Sequence, residues 1–364
     1  MSSYKTPPPS PTKAKDTSEK PNENIIQPRL SLWDLSVVKA KAKRSIGEDV
    51  TTIFIVGNKS SGKTSLIFRF LEKNEQPKPT LALDFTFARK TTSDLSKEVC
   101  HIWELGGDAL LFPQLIETPI VTNRRLDKFA IFVVLDLSVP ETLWVTLEAA
   151  IVNSKKAITK ALSSMNKSDA LTLTKVLDEK LSKRLGDECV DKQYLEPFPL
   201  PIVIIGTKYD LFQSFEPEQR KTICRILRLA SHRLGASLNF YSNLDVAQNR
   251  RVRELFSHYA FDTPFPKGIC QDTNKPLMIP HGGDSFEQIW PGNSPAQFSL
   301  DFFKHLFESK IAKFNEKSAM PEDPAIDSNF KENDVDELRN RIMDEITLTE
   351  RVRQEFSTTD NYIV

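Results

Sequence analysis

Six apolar runs punctuate the middle of the chain: Thr51–Val56, Leu81–Phe87, Val99–Leu105, Phe129–Leu137, Ile202–Gly206 and Ser237–Tyr241. They are continuous rather than alternating, the pattern of strands covered on both faces. Between and after them apolar positions recur at helical spacing, in Ser65–Glu72, Glu141–Leu162, Leu171–Leu185, Glu216–Leu234 and Asn249–Tyr259. Pro217 sits near the first turn of its helix and Gly235 just past the end, the punctuation that starts and stops a helix. Strand and helix in alternation predict an α/β fold with a mostly parallel, doubly wound sheet. In such folds ligands bind at the carboxyl ends of the strands.

Two stretches depart from a minimal domain of this kind. More than sixty residues separate Leu137 from Ile202, longer than a crossover needs. Two helices broken at Ser163–Asp169 fill that interval, as an enlarged helical layer or as a docking surface. Beyond Tyr241 the periodicity weakens, and Pro264–Asn293 reads as irregular. Ser294 then caps a helix over Pro295–Phe314, and a polar linker from Glu316 to Asn333 leads to a last helix. Its apolar residues Val335, Leu338, Ile342, Ile346, Val352 and Phe356 lie among alternating charges, with Asp334 and Glu337 as a capping pair.

At the other end, residues 1–28 are rich in Pro, Ser, Lys and Asn and read as a disordered leader. Residues 29–48 hold a short amphipathic helix, Leu32–Ala42, with Ser31 at its N-cap and Asp34 three residues on. The domain boundaries expected are therefore 1–28, 29–48, 49–260 for the nucleotide-binding domain, 261–315 for an irregular and helical extension, and 316–364 for linker and final helix.

Composition narrows the classes. Apolar residues make up 39% of the 364, and 49 basic residues balance 49 acidic ones. Neutrality gives no general case for nucleic acid or an anionic membrane surface. No apolar run has the length of a membrane span, and the leader lacks the apolar core of a signal peptide. The four cysteines, Cys100, Cys189, Cys224 and Cys270, are scattered, which reads as reduced thiols in a cytosolic protein.

The chemistry concentrates after the first strand. Gly57-Asn58-Lys59-Ser60-Ser61-Gly62-Lys63-Thr64 fits G-x-x-x-x-G-K-[ST], between a strand and a helix that opens at Ser65. A strand, a Gly-rich turn and a helix N-terminus form a nest of N–H groups for a phosphate chain. Lys63 is placed to reach the terminal phosphates, and the Thr64 hydroxyl to ligate Mg²⁺. Thr207-Lys208-Tyr209-Asp210 follows the fifth strand and matches the guanine-reading [NT]-K-x-D element. The Asp210 carboxylate pairs with two N–H donors that adenine lacks, and the Lys208 stem lies along the base. Ser242 stands at the base-backing position.

These stretches fall where a Ras-type GTPase carries its working elements. Glu104-Leu105-Gly106-Gly107 takes the place of the D-x-x-G loop, and Thr80 that of the switch threonine. Thr64, Thr80 and Glu104 are thus the expected Mg²⁺ ligands. The position that holds a water-orienting Gln in such enzymes is Asp108, whose charge repels the γ-phosphate. The apparatus for binding GTP or GDP is nearly complete and that for hydrolysis is not. No catalytic residue is assigned. An ATP-using enzyme, with Asp136 imitating a Walker-B carboxylate, is disfavoured because Asp210 mismatches adenine.

Longer stretches carry a sharper resemblance: Pro77–Phe87, Trp103–Gly107, Leu135–Ser138 with Leu143-Trp144, Pro197–Phe215, Asn274–Leu277 and Gly283–Phe286. Together they resemble the dynein light intermediate chains, over roughly residues 30–345. The short chain and its charged final helix are similar to the cytoplasmic dynein 2 branch, the retrograde motor of intraflagellar transport. That resemblance implies a Ras-like domain and a non-catalytic subunit that docks on and stabilises the heavy-chain tail beside the other dynein 2 subunits. It also implies indirect contact with microtubules and transport trains, in the cytoplasm and at the cilium and its base. Nucleotide is then a structural ligand; an active GTPase switch is the alternative reading.

Overall fold

A computed structural model describes residues 50–91, 97–123, 125–186, 189–293, 295, 298–311 and 332–359. The expected leader, the Leu32–Ala42 helix with its Ser31 cap, the Ser294 cap and most of the 316–333 linker lie outside them.

Seven strands form one sheet in the order β2-β3-β1-β4-β5-β6-β7. They are β1 (Thr51–Gly57), β2 (Leu83–Thr91), β3 (Lys97–Leu105), β4 (Phe129–Asp136), β5 (Ile202–Thr207), β6 (Ser237–Phe240) and β7 (Met278–Ile279). The five from β3 to β6 run parallel, with Ile53 in register with Ile102 on one side and Ala130 on the other. Both edges are antiparallel. Every residue of β4 and β5 is buried, as continuous Val/Ile/Phe runs require when helices cover both faces.

Alternate residues of each central strand feed two cores. Phe54, Ile131, Val133 and Ile204 face a layer built from α2 (Pro113–Val121), α3 (Leu143–Ser164) and α6 (Pro217–Arg233). Ile53, Ile55, Phe132 and Val203 face α1 (Lys63–Phe70) and α7 (Val246–Phe261), where Phe256 meets both Phe70 and Phe132. The long interval after β4 is α3 and α4 (Lys167–Leu185), parted only by Met165 and Asn166. α3 packs along its length, whereas α4 buries only Leu177 and Leu185. The expected polar break is shorter than Ser163–Asp169, because α3 continues through Ser164 and α4 starts at Lys167.

Three expectations need correction. The second strand begins at Leu83, not Leu81, and is no covered interior strand: it closes an antiparallel hairpin at the sheet edge and leaves Phe85 and Phe87 nearly half exposed. The region read as irregular contains β7 and the short α8 (Phe286–Ile289). α6 anchors it through a buried bidentate Arg228–Asp284 pair, both bonds 2.8 Å. The helix expected over Pro295–Phe314 is α9 (Leu300–Lys310). Its cap is Ser299, whose hydroxyl accepts from the Phe302 N–H, and starting there turns Phe303 and Phe307 into the core. The last helix, α10 (Asn333–Thr359), begins where expected.

A candidate nucleotide-binding site at the strand ends

The loop between β1 and α1 turns in a way its residue types allow. Gly62, at the N-terminus of α1, has φ 88°, a left-handed conformation in which a side chain is strained. Lys63 is buried, and its Nζ donates to the carbonyls of Gly57 at 2.9 Å and Asn58 at 2.8 Å. The ammonium is thereby held inside the loop it serves. Asn58, Lys59, Ser60 and Ser65 line the loop at partial or full exposure, while the Ser61 hydroxyl is buried without a hydrogen-bond partner.

The end of β3 meets this loop. The Thr64 hydroxyl donates to Glu104 Oε1 at 2.7 Å. Glu104 Oε2 is buried with no hydrogen bond. Burial raises the Glu104 pKa, opposed by the Thr64 hydrogen bond, the Lys63 charge and the Thr80 hydroxyl, with Asp84 pushing the same way as burial. A buried carboxylate oxygen with no hydrogen bond of its own keeps lone pairs that a cation could take, against the opposing charge of Lys63. Among the described residues no three His, Cys, Asp or Glu side chains gather to hold a metal alone. A cation here would have to draw on the hydroxyls of Thr64 and Thr80 and on a ligand's oxygens beside this one carboxylate. Gly107 lies directly on the loop: a Cβ there would stand 2.0 Å from the Lys59 nitrogen, so the β3 turn tolerates no side chain at that point.

The ends of β5 and β6 complete the arrangement. The Thr207 hydroxyl donates to the Ser61 carbonyl at 2.7 Å and the Leu135 carbonyl at 3.1 Å, lashing the base-side loop to the phosphate loop. Lys208, at the N-cap of the short α5 (Tyr209–Phe212), adopts a left-handed conformation, φ 56°, and pairs with Asp136. Asp136 also accepts from the Ser138 amide at 2.9 Å and from its hydroxyl. Asp136 is thus the partner that fixes Lys208. Asp210 Oδ1 accepts from the Ser242 hydroxyl at 2.7 Å. The Ser242 amide donates to Gln248 Oε1 at 2.6 Å.

The structure thus gathers the predicted phosphate-loop residues, Thr80 and Glu104 at one end of the sheet with Thr207, Lys208, Asp210 and Ser242. Sequence reasoning missed Gln248, which holds the Ser242 backbone from the first turns of α7. No local motif marks it; the only signal is its position shortly after an Asp245 cap.

No protein-family model matches the chain. Over 331 residues it is 37% identical to cytoplasmic dynein 2 light intermediate chain 1 of Bos taurus, a match that covers 86% of this chain and 93% of the relative. It is 27% identical over 225 residues to septum-promoting GTP-binding protein 1 of Schizosaccharomyces pombe, covering 62% and 90%. The crystal structure of the conserved domain of a dynein light intermediate chain superposes with a TM-score of 0.53 at 15% identity, over 72% of this chain and 98% of that one. At that identity the superposition speaks to the fold alone.

Proposed function

Because the chain belongs to the cytoplasmic dynein 2 light intermediate chains, we propose that it is a non-catalytic subunit that docks on the dynein 2 heavy-chain tail and stabilises it. The observation that carries this reading is the span of the likeness, 93% of the relative's length rather than a nucleotide domain alone. Its setting is retrograde intraflagellar transport and cilium assembly, with other dynein 2 subunits as neighbours and microtubules and transport trains as indirect contacts. Among the described residues no helix is long and apolar enough to cross a membrane. Affinity purification of the chain from ciliated cells tests the proposal. Stoichiometric recovery of a dynein 2 heavy chain is the expected result, and recovery with no dynein heavy chain sinks it.

The strand-end site is assigned to a guanine nucleotide held as a structural ligand. Gly57 to Ser65 would hold the phosphates, Asp210 and Ser242 the base, and Thr64, Thr80 and Glu104 the Mg²⁺. The ion would neutralise phosphate charge. The unsatisfied Glu104 oxygen and the Lys63 and Thr64 geometry support that assignment, and so does the likeness to a yeast protein named as GTP-binding. One observation favours the alternative of a GTPase switch: Gly107 already touches the phosphate loop, as an element sensing a third phosphate must. Multiple-turnover GTP hydrolysis at the rate of an ordinary GTPase decides for the switch; hydrolysis at background rate decides for the structural ligand.

A further inference from the structure

On the face opposite α6, a groove of about 890 Å³ runs along α7 beside the loop that follows it. That volume lies within the range of cavities that hold ligands, roughly 300–1,000 Å³. Arg250, Arg251, Arg253 and Lys267 line it against one carboxylate, Glu254. Four positive charges against one make it strongly basic in a chain whose basic and acidic residues balance.

The wall is built and held. Arg251 donates from Nη1 to the Lys267 carbonyl at 2.6 Å and from Nη2 to the Gly268 carbonyl at 2.9 Å, which pins the loop to the helix. The floor is Pro264-Phe265-Pro266, with the Phe265 ring edge-on to His258 at 5.2 Å. Two prolines carry no N–H, so the floor has an apolar face and few donors. The remaining cations are accessible. Among the described residues Arg250 pairs with Glu254, one turn on, at 83% side-chain exposure, and Arg253 with the exposed Glu72. Such surface pairs hold weakly and yield to a competing carboxylate. Lys267 is exposed and has no ion pair among the described residues.

From this combination we propose that the groove docks a short acidic segment of a partner polypeptide, its carboxylates on Arg250, Arg253 and Lys267 and an apolar side chain on Phe265. A nucleic acid fits less well, because the cations are confined to one groove and a single aromatic ring lines it, where strand binders offer stacking rings in series. The proposal does not depend on nucleotide.

The test is panning of a random dodecapeptide display library on the full chain, then fluorescence polarisation of the enriched peptide. Arg250→Gln/Lys267→Gln is the loss variant, and Lys155→Gln/Lys156→Gln, two exposed lysines of α3, the control; melting curves check that both fold. Acidic peptides with an aromatic or leucine residue are expected, bound about tenfold more weakly by the loss variant, unchanged by the control and weakened by salt. Peptides without acidic bias, equal binding by the loss variant, or tighter binding of oligothymidylate than of any peptide overturns it.

Discussion

At position 104 a buried carboxylate has one oxygen on Thr64 and no hydrogen bond to the other, with the Lys63 charge and the Thr80 hydroxyl as its remaining support. A buried charge without full compensation destabilises the fold, and a neutral isostere removes that cost. Glu104→Gln is therefore expected to stabilise the nucleotide-free protein by about 1–3 kcal/mol, the cost of an uncompensated buried polar group, while abolishing any rise in melting temperature caused by Mg²⁺ with GDP. Thermal melts with and without MgCl₂ read both effects; a variant that still responds to Mg²⁺ removes Glu104 from the cation site. The proposed role of Asp210 is tested through selectivity instead. With Asp210→Ala, discrimination between GDP and ADP is expected to fall by about 1–3 kcal/mol, the cost of an unpaired buried polar group, as measured by competition binding. A third residue governs acid stability. His281 is partly buried, with Nδ1 on the Gly235 carbonyl at 2.8 Å and Nε2 on the Tyr259 hydroxyl, and desolvation lowers its pKa to about 3 from 6.5. A depressed histidine pKa gives stability that is full above the unfolded value and lost as pH falls toward the folded one. Denaturant unfolding between pH 6.5 and 3 is expected to show a loss of a few kcal/mol, at most roughly 1.4 kcal/mol for each pH step of one across that window. His281→Asn is expected to flatten that slope. These roles differ in legibility. The phosphate loop and Asp210 are visible in the sequence because their motifs are written in contiguous residues, whereas His281 and the Asp136–Lys208 pair arise only when distant segments meet, and Gln248, though only six residues from Ser242, belongs to no motif.

Among elements, the interior strands are the easiest to read and the edges the hardest. β1, β4 and β5 need continuous apolar runs because helices cover both faces, and composition alone marks them. β2 alternates Leu83, Phe85 and Phe87 with Asp84 and Thr86 and buries only Ala88, the alternation of an edge strand, and the apolar residues Leu81 and Ala82 just before it mask that signal. β7 is two residues long, too short for any periodicity. α9 starts later than a serine followed by a proline suggests, because the capping hydroxyl is Ser299 and the spacing of Phe303 and Phe307 sets the buried face. Elements also divide by what they contribute to stability. Phe256 of α7 is fully buried against Phe70 and Phe132, so Phe256→Ala is expected to cost about 3–5 kcal/mol in denaturant unfolding. In α10, by contrast, Val335, Leu338, Ile342 and Ile346 remain about half exposed, and little apolar area leaves water when it forms. A chain ending at Ile311 is expected to melt within about 2 °C of the full chain; a larger drop shows that α10 packs on the domain.

At the scale of the whole molecule, the nucleotide question becomes one of mass action. A ligand that binds only the folded chain stabilises it by about 2.7 kcal/mol at a concentration one hundred times its dissociation constant. For a domain of this size each kcal/mol moves the melting temperature by about 2–4 °C. Saturating GDP with Mg²⁺ is therefore expected to raise it by about 5–10 °C, and ADP to leave it near the baseline, since Asp210 has no partner on adenine. Lys63 separates support from occupancy. Its ammonium ties the carbonyls of Gly57 and Asn58 together inside the loop, so Lys63→Ala lowers the baseline and removes the GDP shift together. If the variant keeps the baseline and loses only the shift, the loop is rigid by itself and the lysine serves the ligand alone. If the wild type shows no shift with GDP, the strand-end site is a relic of the fold, and the stability of the isolated chain then comes from its two apolar cores.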